Sequence, residues 1–141
     1  MKRMFAWVLS AVLIIMLNAC AQNVTSKSDL MAKFNKNEMV FLQAVESGDF
    51  SAVERIAWVQ EVQMSETHVD IRCGGAGFGS STHYYGIFYA ADDNLCAVGV
   101  AGPKDELVAH GDGYLYQEDG GDNRYYVEPL GNHYFYYEAH F

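Results

Sequence analysis

All ten tyrosines of this 141-residue chain lie at or beyond Tyr84, in a stretch that turn-forming clusters divide at short intervals. The clusters are residues 74–79, Asp92-Asp93-Asn94, Gly102-Pro103-Lys104-Asp105, Gly111-Asp112-Gly113, Asp119-Gly120-Gly121-Asp122 and Pro129-Leu130-Gly131-Asn132. Glycine, proline, Asn and Asp mark turns because each meets a particular backbone requirement there. Between them sit β-rich runs near 67–73, 83–90, 95–101, 107–110, 113–117, 124–128 and 133–141. This spacing predicts an antiparallel meander, strongly curved or partly closed.

Residues 28–62 follow a helical period instead. Leu30, Phe34, Phe41 and Val45 fall near one face, and Gly48 stops the helix by tolerating the left-handed conformation. Ser51-Ala52-Val53-Glu54 has capping-box spacing and opens a second segment, with Val53, Ile56, Ala57 and Val59 on its apolar side. The expectation is an αα-hairpin turning at Ser47-Gly48-Asp49. Helices first and strands after predict one α+β domain over 29–141, helical to 66 and β-rich from 67, with the hairpin packed on one sheet face. The phrase from Phe41 to Val53 resembles the opening helices of some NTF2-like domains and also a single ankyrin repeat. No second repeat follows, so an ankyrin array is set aside. The NTF2-like resemblance implies a fold and no activity.

The first twenty residues have a different character. Met1-Lys2-Arg3 is basic, residues 5–17 are apolar except for Ser10, and Leu17-Asn18-Ala19-Cys20 puts a small residue before a cysteine. Thirteen residues fall short of the ~20 that a membrane-spanning helix needs and match a secretory apolar core. The segment resembles the signal peptide and lipobox of a bacterial lipoprotein. That resemblance implies removal of 1–19, a lipid (diacylglycerol with palmitate-type acyl chains) on Cys20, and a lipidated tether over 20–28. Ala21, where an aspartate commonly implies inner-membrane retention, favours the outer membrane facing the periplasm.

Removal of Lys2 and Arg3 leaves seven basic residues against eighteen acidic ones, a net charge of −11. Phosphate binding needs a basic surface, so nucleic acid is excluded as a partner. A basic protein suits the charge. With Cys20 assigned to lipid, Cys73 and Cys96 make an even pair in an oxidising compartment, which predicts one disulfide.

No catalytic constellation emerges, and neither a metal nor a cofactor is expected. The glycine-rich run at 74–79 precedes a strand pattern and lacks the lysine and helix of a phosphate loop. Ser80 and Ser81 beside His83 lack a nucleophile elbow. His110 with Asp112, Asp92 with Asp93, and Asp119 with Asp122 lack a calcium-loop pattern and read as turns. Histidines 68, 83, 110, 133 and 140 show no His-x-x-x-His or Glu-x-x-His spacing. The tyrosines carry the functional expectation. Both faces of the last strand are aromatic, and only one can meet the helices. Tyr126, Tyr134, Tyr136 and His140 are therefore the expected contacts for a basic envelope or toxin-like protein. The leading expectation is a non-enzymatic binding module of inhibitor or immunity type. The alternatives are a peptidoglycan or carbohydrate binder or hydrolase, and a structural envelope accessory.

Overall fold

The computed structural model describes residues 26–78, 81–98 and 106–141; the lipobox, Cys20 and most of the tether lie outside them. Helix α1 spans Lys27–Ser47. Ser26 caps its start, its hydroxyl accepting from the Asp29 N–H at 3.2 Å. Gly48 ends it in the left-handed region at φ 69°, as the sequence predicts. Leu30, Phe34, Phe41 and Ala44 form the buried stripe.

The expected second helix shrinks to one turn, α2, Ser51–Glu54. Its start is closed by Asp49, whose carboxylate accepts from the Ser51 N–H at 2.9 Å, and not by a Ser51 capping box. Beyond it the chain turns to bury Trp58, which stacks on Phe41 with ring centroids 6.0 Å apart. It then extends as β1, Glu61–Met64. Pairing with β2, together with the Arg72–Glu61 ion pair at 2.8 Å, overrides the short helical pattern there. Among the described residues the helical hairpin is thus corrected to one long helix with a single-turn appendage.

Six further strands follow among the described residues: β2 Val69–Phe78, β3 Ser81–Tyr89, β4 Val108–His110, β5 Gly113–Gln117, β6 Arg124–Gly131 and β7 Tyr134–His140. They form an antiparallel seven-stranded sheet in the order β1-β2-β3-β7-β6-β5-β4. The sheet is not closed. Its edges are β1 and β4, of four and three residues, on opposite sides. The glycine-rich run expected as a loop is the second half of β2. A side chain at Gly74 would overlap the Tyr85 ring, and one at Gly75 would overlap Tyr84, so these glycines make room for the tyrosines of the neighbouring strand.

Alternation along the strands separates two cores. On the α1 side, Val69, Ile71, Cys73, Ile87, Tyr134 and Tyr136 pack with Leu30, Phe34, Phe41, Phe50, Val53 and Trp58. On the other side, Phe88, Tyr125, Val127, Phe135, Tyr137 and Ala139 are covered by Leu95, Ala97, Val98 and Leu107. Residues 95–98, expected to begin a strand, are turns that cap this second core; 99–101 lie outside the described residues.

This layering overturns the predicted disulfide. Cys73 lies under α1, in the core that Val69 and Ile71 share. Cys96 belongs to the covering turns of the opposite face, where the Tyr125 hydroxyl donates to the Leu95 carbonyl at 2.9 Å. The sheet stands between the two thiols, and they are not joined.

Candidate functional site

Both aromatic faces of β7 are consumed by packing. Tyr134 is 1 % exposed and Tyr136 2 %. Tyr134 donates to the Phe41 carbonyl of α1 at 2.8 Å, and its ring meets Phe34 and Phe41 edge-on. Phe135 and Tyr137 on the other face are equally covered. Tyr134 and Tyr136 are therefore core and not a contact surface, because α1 covers one flank of the strand and residues 95–98 cover the other. Tyr126 and His140 remain half-buried.

Those two residues lie at one end of the sheet, where α1 begins, β3 and β6 start and β7 finishes. Strand pairing sets His83 of β3 directly opposite His140 of β7, with Arg124 of β6 on the other side of His140. The period of two puts Glu138 on the same face as His140. One donor atom from each of His83, Glu138 and His140 lies within 4.8 Å of the others. The two imidazoles stack, centroids 4.0 Å apart and 10° from parallel. His83 Nε2 is buried without a hydrogen-bond partner. Leaving a buried polar atom unsatisfied costs about 1–3 kcal/mol, so it points to a missing partner.

Neighbouring groups fix the carboxylate. The Tyr136 hydroxyl donates to Glu138 Oε1 at 2.5 Å; burial first, and then Glu138, raise this phenol above its ordinary range. Burial first, and then the His83 charge, hold His140 below the usual imidazole value, against the pull of Glu138. A cavity of about 180 Å³ opens beside the cluster, lined by Ser26, Lys27, His83, Tyr85, Tyr136 and Glu138. Lys27 is tied down at its rim, paired with Glu128 and lying over the Tyr126 ring at 5.1 Å and the Tyr136 ring at 5.6 Å.

Comparison with protein-family models, curated proteins and solved structures gives no match to this chain.

The site thus stands on its own geometry. Sequence reasoning named His140 but did not join it to His83 and Glu138. His-x-x-x-His and Glu-x-x-His are helical ligand spacings, whereas Glu138-x-His140 is the spacing that one strand face presents. The other candidates behave as turns. Asp92 accepts from the Asn94 N–H at 3.2 Å, and Asn94 from the Cys96 N–H at 3.1 Å. His133 meets a carboxylate, Asp93, at 2.9 Å, but both groups are largely exposed.

Proposed function

We propose that this protein is a lipid-anchored domain of the bacterial cell envelope, held through Cys20 in the outer membrane and facing the periplasm, that works by binding rather than by catalysis. The observation that carries the anchoring is Leu17-Asn18-Ala19-Cys20 after a thirteen-residue apolar run. Only residues 21–25 separate Cys20 from the Ser26 helix cap. Fully extended, that leash spans about 20 Å, so the start of α1 stays close to the lipid surface.

Two arrangements among the described residues argue against a nucleophile. Burial pushes the Cys73 thiol up to about 12, which keeps it protonated and unreactive. The Ser65 hydroxyl is 2.8 Å from His68 Nδ1, yet it also bonds the His68 backbone on the exposed β1–β2 turn, so the pair closes that turn. With Tyr134 and Tyr136 buried, the surface that remains to meet a basic protein is acidic. Asp112, Asp119 and Asp122 are exposed on the β4–β5 and β5–β6 turns.

The test has two parts. Labelled palmitate is expected to enter the wild-type chain, and Cys20→Ala to abolish labelling. A wild-type chain that takes up no label, or label that persists in Cys20→Ala, refutes the anchor. A crosslinked partner that is lost with Asp112→Asn/Asp119→Asn/Asp122→Asn and at high salt supports the acidic face; a partner indifferent to both refutes it.

A further inference from the structure

We propose that His83, Glu138 and His140 bind one borderline divalent transition-metal ion, with Zn²⁺ as the type. The three donors come from two adjacent strands and converge to within 4.8 Å. A second observation is independent of that convergence: His83 Nε2 is buried with no partner. A metal ion would satisfy this nitrogen.

The donor chemistry selects the class. Two imidazoles and one carboxylate suit zinc and its first-row neighbours. Magnesium and calcium take oxygen ligands, and this set supplies too few. The support around the ligands has the form such sites use. Glu138 gives one oxygen to the Tyr136 hydroxyl, which orients the carboxylate and leaves its other oxygen for the ion. The adjoining cavity leaves room for a water as fourth ligand.

Binding requires a defined local movement. Metal–ligand bonds of about 2.0–2.1 Å in a tetrahedron place donors about 3.3 Å apart, a separation inside the 4.8 Å that bounds the three donor atoms. Parallel stacked imidazoles also direct their ring nitrogens side by side. One ring must therefore turn about its χ2 bond. Both residues are half-buried at the end of the sheet, and the cavity of about 180 Å³ that His83 lines gives its ring room to turn.

The experiment is calorimetric titration of ZnCl₂ into the untagged full-length chain, purified metal-free in detergent micelles. One saturable ion per chain is expected. His83→Gln, His140→Gln and Glu138→Gln should each weaken binding at least about tenfold, and Tyr136→Phe by a smaller factor. His110→Gln and His133→Gln should leave binding unchanged. Circular dichroism of each metal-free variant checks that it is folded. Ring ¹⁵N shifts of the wild-type protein provide a readout that no variant's misfolding can obscure, and they should move at His83 and His140 on adding zinc. No saturable binding, binding intact in folded His83→Gln and His140→Gln, or zinc-induced shifts confined to other histidines would overturn the proposal.

Discussion

The Tyr137 hydroxyl of β7 donates a 2.8 Å hydrogen bond to Asp70 Oδ1 of β2, reaching across the intervening strand β3. It passes over Gly86, where an added side chain would lie 2.9 Å from the Tyr137 ring and 2.4 Å from the Ile71 carbonyl oxygen. Asp70 is 9 % exposed, and its nearest cation, Arg72, stands 4.0 Å away. Tyr137→Phe should therefore cost about 1–3 kcal/mol, by leaving a buried carboxylate short of a donor. Gly86→Ala should cost about as much through overpacking. Burial, opposed by the Tyr137 bond and Arg72, raises the Asp70 carboxyl above its ordinary value. The folded state then holds this proton more tightly. Its contribution is full below the ordinary carboxylate range and is lost as pH rises through the raised value. Urea unfolding between pH 3 and 7 should reveal this slope, and Asp70→Asn should remove it.

Lys27 fastens the start of α1 to the sheet through Glu128 and two tyrosine rings. Glu128 is partly buried, which raises its carboxyl, but hydrogen bonds from Lys27 and Tyr126 outweigh this and set it below the ordinary value. Its contribution is thus present above the ordinary carboxylate pKa and fades as pH falls through the lowered one. The pair is open to solvent on one side, so Lys27→Met should cost only about 1 kcal/mol. Hydrogen exchange should detect the loss first in the opening turn of α1.

The β6–β7 hairpin turns on Asn132 and His133, with φ of 52° and 62°. Successive positive φ values fit the right-handed strand twist and favour glycine at the second position. His133 bears this strain while pairing with Asp93, itself at φ 54°. The strain costs about 1–2 kcal/mol, more than an exposed side-chain pair of this kind returns. His133→Gly should match or exceed the wild type in thermal unfolding. His133→Ala keeps the strain, loses the pair and should unfold lower than both.

Cys73 and Cys96 lie on opposite faces of the sheet. The folded protein should contain both as thiols by mass spectrometry after alkylation, and reductant should leave its stability unchanged. Burial of Cys73 should restrict its labelling to unfolded molecules. A crosslinked 73–96 peptide would refute this topology.

Sequence periodicity reveals the inward stripe of α1 and the stop at Gly48 because both are local, set by i, i+3 and i+4 packing and by one backbone angle. It misassigns residues 55–64, where apolar residues serve turns and an edge strand rather than a helix. The glycines at 74 and 75 read as a loop until Tyr84 and Tyr85 are seen crossing them, and that is tertiary information. The same holds for Tyr134 and Tyr136. Strand alternation assigns them a face, but whether that face is covered depends on α1, and whether the opposite face is covered depends on residues 95–98. His83 and His140 lie 57 positions apart in the sequence, and only the β3–β7 register makes them neighbours.

X-ray absorption at the zinc edge of the loaded full-length protein tests the donor set at the end of the sheet most directly. The His83–Glu138–His140 site predicts two imidazole nitrogens and oxygen ligands at about 2.0–2.2 Å, with no sulfur. A sulfur ligand near ~2.3 Å, or a first shell without imidazole, would contradict it.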